Sequence, residues 1–113
     1  MNTSVASQIS RYDTVTCVAP GDITTTTEKA FAALVERAVA AAPRGWKRLD
    51  LDIRAARMID SKGLNLLVSL VKSSRENERT VRLMAPQPSV RRILAFTRID
   101  QHAEVVTEDG SPA

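Results

Sequence analysis

The sequence has very little of the chemistry that most enzymes and disulfide-bonded proteins depend on. It contains one cysteine, Cys17, and one histidine, His102, among 113 residues. A single cysteine cannot form an internal disulfide, and structural zinc sites need about four cysteine or histidine ligands. A nucleophile, a base and an orienting group must also be in contact, and His102 lies far along the chain from Cys17 and Ser61. We therefore expect no catalytic residues, no metal and no cofactor.

Long apolar runs and clustered charges are also missing. No stretch approaches the roughly 18 apolar residues of a membrane span, and residues 1–10 lack the basic start and apolar core of a signal peptide. The net charge of +3 comes from scattered side chains rather than from a basic run. These absences predict a cytoplasmic protein with no membrane insertion and no direct nucleic-acid binding.

What is present is the composition of one globular domain. Apolar residues make up 43% and charged residues 26% of the chain, whereas aromatic residues make up only 4%. The core must therefore be built from leucine, valine, isoleucine and alanine. We predict a domain over residues 1–106 and a flexible polar tail over residues 107–113.

Segments with strand patterns alternate with segments with helix patterns, which predicts an α/β fold with a mainly parallel sheet. A turn at residues 11–13 predicts that the first two strands form an antiparallel pair at one edge, and the last strand is expected at an edge as well. The predicted strands cover residues 5–9, Thr14–Val18, 47–53, Thr80–Met84 and 103–106.

Apolar residues at helical spacing predict helices between these strands. Thr25 and Glu28 have the spacing of a capping box for the first helix, which ends at residues 43–45. Asp60 and Ser61 are both favoured at a helix start, and Ser89 is expected to cap a third, short helix that reaches about Phe96. The residues expected to face the core are Phe31, Leu34, Val35, Ala38 and Ala42 in the first helix, Leu64, Leu66, Leu67, Val68, Leu70 and Val71 in the second, and Val90, Ile93 and Leu94 in the third.

Two groups of polar residues could carry chemistry. Asp50 and Asp52 point the same way from one strand, which fits a polar strand edge or a loop-facing pair better than a divalent-ion site. The segment Asp60-Ser61-Lys62-Gly63-Leu64 places a serine hydroxyl where helix N–H groups favour a negative charge, such as a phosphate. The alternative for Ser61 is a plain helix cap. Gly63 would let the backbone approach a neighbour or a partner closely.

The spacing of these motifs resembles that of the STAS family, of the anti-anti-sigma factor type. Residues 49–53 and 59–64 resemble a strand that ends in "DL", a short linker and then "IDSSGL" at a helix start, and the two motifs align without a gap. Residues 21–23 resemble the family's "GELD" turn, and residues 88–94 resemble its "SPAVKRLL" helix. The resemblance covers roughly residues 12–106 and implies the STAS fold.

This resemblance implies a binding module rather than an enzyme. In such anti-sigma factor antagonists the serine after the signature aspartate, here Ser61, is the phosphoacceptor. The unphosphorylated protein binds an anti-sigma factor that is a serine kinase with a histidine-kinase-like ATPase fold, which releases a sigma factor. Phosphorylation breaks that complex, and a metal-dependent serine phosphatase restores it. The residues predicted to form the partner-binding face are Asp22, Ile23, Thr24, Thr25, Asp60, Ser61, Lys62, Gly63 and Asn65.

Three departures from the family pattern keep alternatives open. Lys62 replaces the second serine of "DSSG", Thr24 replaces the aspartate of "ELD", and Arg98 replaces the glycine of an "SGL" after the last helix. One alternative is a STAS interaction or scaffold subunit of a stress-sensing assembly or a transporter, without an obligatory phosphoswitch. Another is a small-molecule sensor, although the sequence has no phosphate-binding loop and few aromatic residues for stacking.

Overall fold

The computed structural model describes residues 13–107, and its strands follow the alternating and β-branched segments of the sequence. All neighbouring strands pair in parallel, in the order β1-β2-β3-β4, so β2 and β3 lie inside the sheet. The strands are β1 (Thr14–Val18), β2 (Arg48–Asp52), β3 (Thr80–Met84) and β4 (Glu104–Val106). The predicted α/β fold with a parallel sheet is confirmed. The predicted antiparallel partner of β1, residues 5–9, and the end of the predicted tail lie outside the described residues.

Three helices connect these strands and bury their apolar stripes. They are α1 (Glu28–Ala40), α2 (Ser61–Glu76) and α3 (Pro88–Phe96), and a 3-10 turn at Ile99–Gln101 precedes β4. The expected core side chains Phe31, Val35, Leu67, Val71, Val90 and Leu94 are buried. Val68 is an exception, because 44% of it is exposed although it was expected to face the core. Only the side of α2 that faces the sheet and α1 is buried.

Two predicted helix caps are wrong. The helix α1 begins at Glu28, and its N-cap is Thr27 rather than Thr25. Thr25 is not available for a capping box because its N–H and hydroxyl both bind the Asp60 carboxylate. The N-cap of α3 is Gln87, with Pro88 in the first turn, where its missing N–H costs nothing. The Ser89 hydroxyl instead donates to the Arg57 carbonyl oxygen.

Asp50 does not lie at a polar edge, which corrects a second expectation. It is 5% exposed on the interior strand β2, with Arg82 directly opposite it on β3. The Arg48 Nε lies 3.0 Å and the Arg82 Nε 3.8 Å from Asp50 Oδ1. A buried carboxylate needs such compensation because losing its hydration is costly. Over residues 13–107 no three His, Cys, Asp or Glu side chains are arranged to hold a metal ion.

The lone cysteine occupies a core position. Cys17 is 2% exposed on β1, and burial raises the pKa of its thiol. A buried thiol that resists ionisation is a poor nucleophile, so Cys17 serves as a packing residue of the core. Within the described part of the chain, no helix is long and apolar enough to cross a membrane.

Candidate functional site

The loops that follow β1 and β2 meet at one edge of the sheet. Because these strands are parallel neighbours, their carboxyl ends lie side by side. The loops extend the pairing through an isolated parallel bridge between Ile23 and Ile59. The Ile23 N–H donates to the Met58 carbonyl oxygen at 3.1 Å, and the Asp60 N–H donates to the Ile23 carbonyl oxygen at 3.3 Å. This pairing brings residues 22–25 next to the start of α2.

Asp22, in the loop after β1 (the first loop), binds the backbone of the loop after β2 (the second loop). Its Oδ1 accepts hydrogen bonds from the N–H groups of Arg57, at 2.7 Å, and Met58, at 3.1 Å. Backbone N–H groups in a loop have no partner of their own, and a carboxylate is a strong acceptor for them. The Asp22 side chain is therefore fixed from within the protein.

Asp60 makes the reciprocal connection from the second loop. Its Oδ2 accepts from the N–H of Thr25, at 2.8 Å, and from the Thr25 hydroxyl, at 3.0 Å. Its Oδ1 accepts from the Gly63 N–H at 2.9 Å, which makes Asp60 the N-cap of α2. The hydrogen bond from Gly63 and then those from Thr25 and Lys62 hold the pKa of this carboxyl below its ordinary value. We call Asp22, Asp60 and the N–H groups they bind the aspartate clasp.

Gly63 allows the first turn of α2 to reach the other loop. A Cβ atom built on Gly63 would overlap the carbonyl oxygen of Ile23 and also crowd its carbonyl carbon. That carbonyl is the one that accepts from Asp60, so it cannot move without disturbing the clasp. The expected close approach at Gly63 is therefore confirmed, and the neighbour is the protein's own backbone.

A threonine turn orders the rest of the first loop. The Thr27 hydroxyl donates to the Asp22 carbonyl oxygen at 2.7 Å and accepts from the Thr24 N–H at 2.8 Å. Thr27, Arg57 and Met58 belong to this site although no sequence pattern predicted them there. Thr27 and Met58 carried no motif signal, and the run of four threonines at residues 24–27 was the only available hint.

Ser61 is the first residue of α2 and not its cap. Its side chain is exposed, as are those of Lys62, Asn65 and Thr25. Asp60 accepts the hydrogen bond that a capping residue accepts, so a plain capping role does not explain the Ser61 hydroxyl. The clasp holds the backbone on both sides of an accessible serine.

The nine residues of the predicted partner-binding face thus divide by burial. Ile23 and Gly63 are buried and can only support a surface, whereas Asp22, Thr24 and Asp60 are half-buried. The exposed members are Thr25, Ser61, Lys62 and Asn65. The side chains of Asp22 and Asp60 bind N–H groups of the protein itself. Among the four exposed members, Lys62 is the charged one.

The model of the STAS domain family matches residues 7–108. No curated protein sequence matches the chain significantly.

Two solved structures are similar in fold. The crystal structure of a candidate anti-sigma factor antagonist from Thermotoga maritima matches with a TM-score of 0.71 and 21% identity, over 82% of this chain and 78% of that chain. The NMR structure of the same protein, TM1081, matches with a TM-score of 0.63 and 19% identity, over 84% of this chain and 74% of that chain. At these identities the likeness concerns the fold.

Proposed function

The chain belongs to the STAS domain family, and from this premise we propose that it is an anti-sigma factor antagonist switched off by phosphorylation of Ser61. In the unphosphorylated form it binds an anti-sigma factor, a serine kinase with a histidine-kinase-like ATPase fold, in the cytoplasm and thereby releases a sigma factor. A metal-dependent serine phosphatase resets it. The protein itself acts as a binding module and catalyses no reaction.

The observation that supports this proposal is the exposed Ser61 hydroxyl on a rigid surface. The Asp60 and Gly63 groups beside it are held by the clasp, so a kinase meets a serine of fixed position. The N–H groups and dipole at the start of α2 favour a negative charge there. The folded protein can therefore accept a phosphate without rearranging.

The same surface accounts for the effect of the phosphate on binding. A phosphoserine adds about −1.5 to −2 charges. Thr25, Lys62 and Asn65 are exposed near it and would be covered by a partner. Burying the added charge without a matching cation costs several kcal/mol, and about 1.4 kcal/mol changes an affinity tenfold. We expect the complex to weaken by about 100-fold or more.

The test is capture of partners from the host's lysate with the wild type, Ser61→Asp and Ser69→Asp, followed by mass spectrometry. Ser69 is exposed two turns further along α2, so Ser69→Asp adds the same charge on the same helix but away from the clasp. We expect the wild type and Ser69→Asp to retain a kinase-like anti-sigma factor and Ser61→Asp to lose it. Phosphorylation of a Ser61→Ala variant by that kinase would show that the acceptor is misassigned.

Lys62 favours one competing function, an interaction or scaffold subunit without an obligatory switch. Its exposed ammonium group lies beside Ser61 and can offset part of a phosphate's charge. If that offset dominates, Ser61→Asp retains its partner. A Lys62→Ser background then decides the matter, because removing the cation would restore sensitivity to Ser61→Asp in a phosphoswitch but not in a scaffold.

A further inference from the structure

A second surface lies at the other end of α2, in a cleft of about 530 Å³ between the carboxyl half of that helix and the segment after α3. Its apolar lining includes Val68, Val71 and Ile99. Val68 is 44% exposed although it has an apolar side chain, because the cleft leaves it open to solvent. We call this surface the cationic cleft, since three cationic side chains, Lys72, Arg75 and Arg98, also line it.

The charges of the cationic cleft are not balanced within the protein. Glu76 is the only acidic residue in its lining, and none of the three cations forms an ion pair within residues 13–107. Arg75 donates a hydrogen bond to Nδ1 of His102, another residue of the lining. The cleft therefore combines an apolar floor with an excess of positive charge.

Arg98 holds its place in the cleft at a conformational cost. Its φ of 64° and ψ of 17° put it in the left-handed region, directly after the end of α3. A residue with a side chain is disfavoured in this region, and glycine is the residue that avoids the cost. The position that would suit glycine best instead carries a guanidinium group that lines the cleft.

We propose that the cationic cleft binds an acidic segment of a protein partner. An apolar side chain of the segment packs on Val68, Val71 and Ile99, and its carboxylates pair with Lys72, Arg75 and Arg98. Charge complementarity selects this occupant, because an apolar ligand alone would leave three cations unpaired and a basic segment would be repelled. The site is independent of the phosphoswitch, since Arg75 is about 20 Å along the helix axis from Ser61.

The test uses the full chain labelled with ¹⁵N and a short amphipathic peptide of glutamate and leucine. A peptide with lysine in place of glutamate serves as the control. We expect the acidic peptide to shift amide signals of residues 68–76 and 97–102 but not those of residues 57–65, with binding that weakens as salt is added. Absence of shifts, shifts elsewhere, or equal binding of the lysine peptide would overturn the proposal.

Two variants separate binding in the cleft from general charge attraction. Arg98→Gly removes a cleft cation and relieves the left-handed conformation, so loss of binding cannot be blamed on unfolding. Arg92→Gln removes the same charge from an exposed position of α3 outside the cleft lining. We expect Arg98→Gly to bind the peptide about tenfold more weakly and Arg92→Gln to bind it normally. Equal losses in both variants, or attachment to phosphatidylserine vesicles with no peptide binding, would overturn the proposal.

Discussion

The two ends of α2 treat their charged groups in opposite ways. At the amino end, the Asp60 carboxylate interacts favourably with the helix dipole and accepts hydrogen bonds from Gly63 and Thr25. At the carboxyl end, Arg75 lies in the last turn and also interacts favourably with the dipole, but Arg75 and Lys72 line an open cleft and have no acidic partner within residues 13–107. The Asp60 carboxylate, which is hydrogen-bonded within the protein, stabilises the fold. The cations at the carboxyl end have no acidic partner there and are available to a ligand.

The backbone near each end of α2 also differs in how strictly it requires glycine. Gly63 is a glycine because the Ile23 carbonyl leaves no room for a Cβ atom. Arg98 is not a glycine although its φ of 64° favours one. Packing dictates the residue type at the first position, whereas at the second the fold tolerates a strained conformation. Substitutions at both ends therefore test this difference.

The largest effect is expected at Gly63. In Gly63→Ala the new methyl group overlaps the Ile23 carbonyl group, so either the first turn of α2 or the loop before α1 must shift. Such overpacking against backbone costs about 3 kcal/mol or more, which is a large share of the stability of a small domain. Urea unfolding followed by circular dichroism measures the loss.

Gly21→Ala is the matched control for this substitution. Gly21 lies in the same region, but a Cβ built on it meets no atom within 4 Å, and its φ is not positive. We expect a change within about 0.5 kcal/mol. Similar losses in both variants would mean that close packing at Gly63 does not distinguish this end of the helix.

An intermediate, pH-dependent effect is expected at Asp60. Its pKa is lowered in the folded state by the hydrogen bonds from Gly63, Thr25 and Lys62. The carboxylate therefore adds stability above about pH 4, its ordinary range, and that stability is lost as the pH falls through the lowered folded-state value. Asp60→Asn should unfold at lower urea than the wild type at neutral pH.

The difference in urea midpoint between the wild type and Asp60→Asn should become smaller as the pH is lowered. Once the wild-type carboxyl is protonated, it is as neutral as the asparagine, so the urea midpoints should approach each other as the pH falls through the lowered folded-state pKa. A gap that stays constant between neutral and acid pH would show that the clasp does not depend on the charge of Asp60.

The smallest effect is expected at Arg98, and it has the opposite sign. Arg98→Gly removes the left-handed strain and should stabilise the protein by about 0.5–1 kcal/mol, less what glycine adds to the flexibility of the unfolded chain. Thermal unfolding should show a slightly higher midpoint. Glu78→Gly is the matched control, because Glu78 has a φ of 59° just after α2 and does not line the cleft.

We expect both glycine variants to gain stability but only Arg98→Gly to lose peptide binding. A loss of stability in Arg98→Gly would mean that contacts of its side chain outweigh the strain. In that case the conformation of Arg98 would reflect local packing, and the contrast with Gly63 would disappear.

Much of the fold could be predicted from local patterns in the sequence. The alternation around β2 and the helical spacing of Phe31, Val35, Leu67 and Val71 predict the observed elements, because each pattern lies within one strand or one helix. The helix start at Asp60 was predictable for the same reason. The prediction that Val68 faces the core was wrong, because helical spacing shows on which face of α2 a residue lies but not how much of that face other elements cover.

The site was only partly predictable. Asp60, Ser61 and Gly63 stand out within one pentapeptide, whereas Thr25, which binds Asp60, and Ile23, which contacts Gly63, lie more than 30 residues away. The Thr25 and Glu28 spacing suggests a local capping box, yet a charged acceptor from another loop outcompetes it. Asp50 looks like an edge residue until the order of the strands places Arg82 beside it.

Local patterns in the sequence specify the elements, the parallel α/β class and a serine at a helix start, since periodicity and capping preferences act over a few residues. The exposure of that serine, the hydrogen bonds of the carboxylates and the absence of acidic partners around the cleft cations follow from the folding of the described residues. Those outcomes depend on groups brought together from distant parts of the chain, as Asp22 is with Arg57 and as Arg98 is with Arg75 in the cleft. Hydrogen bonds and charges act at short range in space, whatever their separation in sequence.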